Sequence, residues 1–130
     1  MTKITVLVDC RNASKMEQIK DFIIALAKGD VKSVLSYFAD DICWETVGRI
    51  SWNGKEALTE VLNAMTKVQA SELIIDNIVS DSMRGSANGV LKYKDGSTIA
   101  FCDMFTFTSQ AKDAKIKTLI AYDIDISEDQ

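Results

Sequence analysis

An aspartate that shares a strand face with phenylalanines is the feature of this sequence that most directly suggests chemistry. Residues 100–107 form a predicted strand, whose period of two places four side chains on one face: Phe101, Asp103, Phe105 and Phe107. A buried carboxyl group must be hydrogen-bonded, paired with a cation or protonated, because a bare buried charge costs far too much free energy. A protonated Asp103 could donate a hydrogen bond to a ligand oxygen. The alternative is an aspartate at a solvated sheet edge or held by a backbone partner.

The residue types that are missing narrow the possible chemistry. The chain contains no histidine, which excludes Ser-His-Asp and Cys-His catalysis and any zinc site built with histidine. Acid–base chemistry must therefore use carboxylates, tyrosine, lysine or cysteine. Cys10, Cys43 and Cys102 are widely spaced without a metal-ligand pattern, and we interpret them as small buried side chains with reduced thiols. The sequence thus predicts neither a cofactor nor a metal site.

Length and composition indicate one ordinary globular domain over residues 1–130. Apolar residues make up 47% of the chain and charged residues 26%, as in average globular proteins. The net charge of −4 argues against nucleic-acid binding, which usually needs a basic patch. No apolar run approaches the length that spans a membrane, and the N-terminus lacks the pattern of a signal peptide. We therefore expect a cytoplasmic location without membrane association.

Two helices are predicted before residue 40. The first begins at a capping box formed by Ser14 and Glu17 and ends at Gly29. The second is capped by Asp30 and keeps Phe38 on its apolar side.

A third helix and six strands complete the prediction. The helix runs from residue 55 to about 67. The strands are expected at residues 3–8, 42–47, 72–79, 83–93, 97–108 and 116–126. Residues 48–51 are interpreted as a turn or loop, and Asp95-Gly96 predicts a hairpin. Helices followed by strands favour an α+β domain in which one antiparallel sheet curls over the helices. The first strand is expected at a sheet edge, of this subunit or of a partner.

Several segments, taken together, resemble the nuclear transport factor 2-like superfamily, which includes ketosteroid isomerase and SnoaL-like polyketide cyclases. They are residues 22–30 (FIIALAKGD), 37–41 (YFADD), 44–48 (WETVG), 53–57 (NGKEA), 101–107 (FCDMFTF) and 115–116. The resemblance covers about residues 16–126 of the single domain. It implies a cone-shaped half-barrel, with three N-terminal helices packed on a curved, mainly antiparallel sheet and an extra N-terminal strand. It also implies a pocket between helices and sheet, and a homodimer formed largely through the outer sheet face.

The resemblance to ketosteroid isomerase assigns roles to four positions. That enzyme keeps one aspartic acid neutral in an apolar site so that it can donate a hydrogen bond, and Asp103 falls on this position. Phe22 falls on the position of a donor tyrosine and lacks its hydroxyl group. Thr46 falls on the position of the general base, unless a shift of one residue places Glu45 there. Classical steroid isomerisation is therefore disfavoured.

The last strand supplies another candidate acid. By the resemblance, the face with Leu119, Ala121 and Asp123 points into the pocket, and SnoaL-like cyclases use an acidic residue near this strand as an acid–base group. Asp123 is therefore a candidate catalytic residue beside Asp103 and Glu45. The alternative is that Asp123 is solvated and the opposite face of the strand is buried, because period alone cannot choose between the faces.

These assignments predict a small-molecule pocket. Ten residues are expected to line it: Phe22, Leu26, Trp44, Thr46, Trp52, Met65, Phe101, Phe105, Leu119 and Ala121. For the two tryptophans, core packing is the alternative. The function predicted is proton-transfer chemistry, of the isomerase, cyclase or hydratase type, on an apolar or aromatic carbonyl ligand. The alternative is a non-catalytic ligand-binding module or a dimeric interaction module.

Overall fold

Three helices pack on one curved sheet of seven strands. A computed structural model describes residues 2–10, 13–65 and 67–127. In chain order the elements are β1 (Lys3–Val6), α1 (Ser14–Lys28), α2 (Val31–Ser36), β2 (Phe38–Thr46), β3 (Ile50–Asn53), α3 (Lys55–Met65), β4 (Glu72–Asp81), β5 (Arg84–Lys92), β6 (Thr98–Phe107) and β7 (Ile116–Asp125). The strand order is β1-β4-β5-β6-β7-β2-β3, and only the β1–β4 and β2–β7 pairs are parallel. The predicted α+β half-barrel, including its additional N-terminal strand, is confirmed.

The helix boundaries follow the predicted signals in part. Gly29 ends α1 in a left-handed conformation (φ 76°), as predicted, and its N–H bonds back into the last turn. The Asp30 side chain caps α2 by accepting from the N–H of Ser33 at 3.2 Å, also as predicted. The capping box was wrong, because Ser14 is already helical and Ala13 precedes it without a side-chain cap.

Two strand predictions required correction. Phe38 belongs to β2 rather than α2, because it pairs with Ile116 of β7 and its ring packs 5.5 Å from that of Phe22. The end of the predicted 48–51 loop forms β3, where Trp52 pairs with Trp44 of β2. A β3 strand of four residues is too short to show a clear alternation in the sequence.

The N-terminal strand joins the sheet of its own subunit. β1 runs parallel to β4, with Lys3 opposite Glu72 and Val6 opposite Ile75. It ends at Val6 rather than at residue 8. The parallel pairing places the start of the chain beside its middle. In the strand order, β1 forms one edge of the sheet and β3 the other.

The predicted burial of the cysteines holds only for Cys10. Cys43 is exposed, and its thiol bonds to the side-chain carbonyl oxygen of Asn53. It lies between the buried Ile42 and Trp44 in β2 and therefore points to the opposite face. Cys102 is partly buried.

Phe22 of α1 lies at the centre of the core. Its ring is fully buried and contacts the rings of Tyr37, Phe38, Trp44 and Phe105, with centroids 5.5–6.5 Å apart. Fully burying such a side chain stabilises a fold by about 1.5–3 kcal/mol. This aromatic cluster fixes α1 over the concave face of the sheet.

Small residues on the concave face of β5 let neighbouring groups pack closely against this strand. Gly85, Ala87 and Gly89 are buried and lie directly opposite Phe105, Asp103 and Phe101 of β6, respectively. On the other side of Asp103, its partner in β7 is Ala121. Because the cross-strand neighbours of Asp103 on both sides are alanines, its carboxyl group is not covered by larger side chains of those neighbours.

Candidate active site

A cavity of about 240 Å³ lies between the helices and the concave sheet face. Its wall combines residues from α1, from the end of α3 and its following turn, and from β2, β5, β6 and β7. The lining residues are Ile23, Leu26, Ala27, Trp44, Thr46, Arg49, Met65, Val68, Leu91, Tyr93, Ile99, Phe101, Asp103, Ala121 and Asp123. The wall is mostly apolar with a few polar groups, the usual composition of a small-molecule site.

Asp103 lies in the buried part of this cavity. Its side chain is only 7% exposed, and no hydrogen bond or ion pair joins its carboxyl group to another described residue. Asp103 is one of the residues that line the cavity, so its side chain borders the cavity space. Buried polar groups almost always have a partner. Asp103 is therefore placed to bond to a molecule in the cavity.

Burial makes the Asp103 carboxyl group neutral near pH 7. Loss of hydration, with a smaller contribution from the charge of Asp123, raises the pKa of Asp103 from 3.8 to about 8. Burial disfavours the charged form of a carboxyl group unless a cation or donors compensate. A neutral Asp103 presents an O–H group, which makes it a hydrogen-bond donor at neutral pH.

Asp123 is the second acid of the cavity. It lies on β7 opposite Phe101, so it is the diagonal neighbour of Asp103 on the same sheet face. Such diagonal neighbours have their Cα atoms about 7–8 Å apart. Burial also raises the pKa of Asp123, while the charge of Arg49 lowers it. Asp123 is less buried than Asp103, so the two acids of one cavity lie in different environments.

The model of the SnoaL-like domain matches residues 19–118, which is most of the chain. The chain belongs to the SnoaL-like domain family. No functionally curated protein matches it.

Solved structures similar to this SnoaL-like domain share its fold at low sequence identity. A nuclear transport factor 2-like protein of unknown function from Cytophaga hutchinsonii is 24% identical, with 84% of this chain and 98% of that chain covered and a TM-score of 0.67. An LEH-like epoxide hydrolase from M. tuberculosis is 20% identical, with 85% and 83% covered and a TM-score of 0.71. A putative ketosteroid isomerase from Kribbella flavida is 8% identical, with 90% and 82% covered and a TM-score of 0.70.

The structure brings together most, but not all, of the predicted site residues of the SnoaL-like domain. Those that line the cavity are Asp103, Asp123, Leu26, Trp44, Thr46, Met65, Phe101 and Ala121. Phe22, Phe105 and Leu119 are buried in the core instead, and Trp52 packs 6.2 Å from Trp44 outside the lining. Glu45 is exposed, because it alternates with Trp44 and Thr46 to the other face of β2. It does not share the cavity with Asp103, and we assign it no role.

Sequence reasoning missed one polar residue of the cavity, Arg49, and left another, Tyr93, open between cavity and core. Tyr93 follows β5 on the same face as Leu91, and burial together with Asp123 raises the pKa of its phenol. Its alternation with Leu91 was a usable signal. Arg49 lies in the turn between β2 and β3, where side-chain direction has no sequence period, so no signal was available.

The described residues contain neither a candidate metal-binding cluster nor a helix that could cross a membrane. No group of three or more His, Cys, Asp or Glu side chains in the described part of the chain could hold a metal ion. No helix among these residues is long and apolar enough to cross a membrane.

Proposed function

We propose that the SnoaL-like domain binds a small, largely apolar molecule with a carbonyl oxygen and that Asp103 donates a hydrogen bond to this oxygen. The observation that carries the proposal is the buried carboxyl group of Asp103, which lines a mostly apolar cavity without a partner among the described residues and whose pKa is raised by burial. A donor in a water-poor site stabilises developing negative charge on a carbonyl oxygen far better than it would in water.

In the proposed reaction, Asp123 moves the proton. As a carboxylate it takes a proton from the carbon next to the ligand carbonyl, while Asp103 holds the resulting enolate oxygen. If the ligand has a carbon–carbon double bond beyond this carbon, the enolate is a dienolate, and return of the proton from Asp123 to its far end moves the double bond in an isomerisation. If the ligand has a second carbonyl group, the enolate carbon attacks the carbon of that group, the carbonyl π electrons move to its oxygen, and the resulting alkoxide takes the proton from Asp123 in a cyclisation. Lower burial, together with the positive charge of Arg49, favours ionisation of Asp123 relative to Asp103.

The structural neighbours support this class of chemistry by their descriptions alone. One is described as an epoxide hydrolase and another as a putative ketosteroid isomerase. At 20% and 8% identity the likeness supports the fold, and the proposal for this chain rests on its own cavity.

The proposal is tested with 2-tetralone, an apolar bicyclic ketone, and with tetralin, the hydrocarbon without the oxygen. We expect 2-tetralone to raise the thermal unfolding midpoint more than tetralin, because a native-state ligand stabilises by mass action and only the ketone offers an acceptor to Asp103. In D₂O, the protein is expected to accelerate deuterium exchange at the carbons next to the carbonyl. Asp123→Asn should keep binding and lower the exchange rate about 100-fold, as followed by proton NMR.

The results separate catalysis from binding alone. A non-catalytic binding module is the second candidate function, and two observations favour it. Phe22 is a core residue without a hydroxyl group, and Thr46 offers no carboxylate. If 2-tetralone binds but exchanges at the solvent rate, the domain is a binding module and the proton-transfer mechanism is refuted. If the ketone and the hydrocarbon bind equally, the role of Asp103 as a donor is refuted as well.

We also propose that the domain forms a homodimer through the convex face of its sheet. Four large side chains of this face are 46–63% exposed: Val79, Met104, Tyr122 and Ile124. They come from β4, β6 and β7, so they form a surface patch rather than isolated apolar residues. Contiguous patches of this kind mark interaction sites.

Light scattering after size exclusion checks the dimer. Ile124→Lys is expected to shift a dimer to monomers, because a charge would be buried within the proposed interface. Ile50→Lys is the control, since Ile50 is 52% exposed and pairs with Thr46 on the concave side. A wild-type mass equal to that of one chain would rule the dimer out.

A further inference from the structure

The cavity changes in character between its floor and its mouth. At the floor, Trp44 and Phe101 are buried beside Asp103, with 4% and 6% exposure. At the mouth, Met65 and Val68 are 49% and 68% exposed. A ligand that presents its carbonyl group to Asp103 therefore turns its opposite end toward the mouth.

Arg49 is held at this mouth by the turn between β2 and β3. The N–H of Val47 donates to the carbonyl oxygen of Ala121 in β7 at 2.9 Å. The N–H of Arg49 donates to the carbonyl oxygen of Thr46 at 3.0 Å. These bonds tie the turn to the cavity wall, since Thr46 and Ala121 are themselves paired lining residues.

The Arg49 guanidinium group makes no close ion pair or side-chain hydrogen bond with the described residues, although its charge acts at longer range on Asp123 and Asp125. No carboxylate oxygen of these residues lies within 4 Å of its guanidinium group, and its side chain makes no hydrogen bond to them. It is also the only cationic residue among the described residues that line the cavity. A guanidinium group offers five N–H donors in a planar fork that matches a carboxylate. Arg49 is exposed, so a ligand can reach it without entering the core.

We infer that the cavity takes ligands that carry a carboxylate at the end opposite the carbonyl group, and that Arg49 binds this carboxylate. The inference rests on the proposed function, because Asp103 fixes the carbonyl end. The net charge of −4 disfavours anions at long range. A preference for an anionic ligand would therefore have to come from the local cation, which makes Arg49 the determinant of specificity.

Two matched probes test this inference: 4-acetylbenzoate and its uncharged methyl ester. By calorimetric titration at low ionic strength, the acid is expected to bind about tenfold more tightly than the ester, in line with a charge-assisted pair at a partly exposed site. Arg49→Gln should bring the ratio of the two dissociation constants to about one, and Arg49→Lys should retain part of it because lysine keeps the charge without the fork.

Lys94→Gln is the matched control. It removes the same charge from an exposed residue near the mouth that does not line the cavity, and it should leave the ratio unchanged. If wild-type protein binds both probes equally, or if Lys94→Gln acts like Arg49→Gln, the carboxylate inference is overturned while the proposed function stands. If neither probe binds, the carboxylate inference is overturned, and the comparison of 2-tetralone with tetralin decides separately whether the proposed function fails as well.

Discussion

Asp103→Asn is expected to stabilise the fold at pH 7 by on the order of 4 kcal/mol, since each unit of pKa shift corresponds to about 1.4 kcal/mol. In the unfolded chain the carboxyl group ionises near its ordinary pKa of 3.8, whereas in the fold burial raises the pKa of Asp103 to about 8. The native state therefore holds a proton that the unfolded state releases, and wild-type stability falls as pH rises between these two values. Asparagine is neutral throughout and of similar shape. No hydrogen bond of Asp103 to another described residue is lost by the replacement.

Denaturant unfolding at several pH values measures this effect. The two proteins should have similar free energies of unfolding near pH 3, and the difference should grow up to about pH 8 and then level off. Asp125→Asn is the matched control, because Asp125 is exposed at the end of the neighbouring strand β7 and hydrogen bonds from Ser127 lower its pKa. A difference between Asp103→Asn and wild type that does not vary with pH would show that Asp103 is not shifted.

Gly89→Ala is expected to cost about 3 kcal/mol or more of unfolding free energy, the range of severe packing errors. A Cβ atom at this position would overlap the carbonyl oxygen of Ile74 and would lie 3.0 Å from the ring of Phe101. The carbonyl belongs to the neighbouring strand β4 and cannot move without distorting the β4–β5 ladder. The expected loss of unfolding free energy therefore comes from distortion of the backbone.

Gly85→Ala provides the comparison on the same strand face. There the added Cβ would meet chiefly the end of the Ile19 side chain, which can change rotamer, and the backbone oxygen of Val79 at 3.2 Å. Both variants change the same atom on the same face, so chemical denaturation should rank Gly89→Ala as clearly more destabilising. Equal losses would mean that the sheet bends freely around Gly89, and would contradict this explanation.

The strand face on which Asp103 lies could be predicted from the sequence, because alternation along a strand determines the face of each side chain. The same rule explains the exposure of Glu45 and Cys43, which lie between Ile42, Trp44 and Thr46 on β2. The curved sheet followed from helices grouped before strands and from the family resemblance. What alternation cannot give is the direction of a residue in a turn, and for this reason Arg49 was missed.

Local signals also failed where tertiary contacts decided the outcome. Phe38 fits the apolar side of a short helix by spacing, but packing against Phe22 and pairing with Ile116 place it in a strand. Ser14 and Glu17 have the spacing of a capping box, yet Glu17 instead forms an ion pair with Lys20 at 2.9 Å. Short-range patterns of this kind are weak compared with the burial of an aromatic ring.

The two parallel pairings of the sheet have a consequence for folding kinetics. β1 joins β4, and β2 joins β7, so each pair connects segments far apart in the chain. Contacts of this kind form late and slow the search for the native state. The cavity wall includes Trp44 of β2 and Ala121 of β7, so it is complete only when the last of these segments has joined. A bound molecule that contacts both strands would stabilise their association. It would therefore slow unfolding more than it speeds folding.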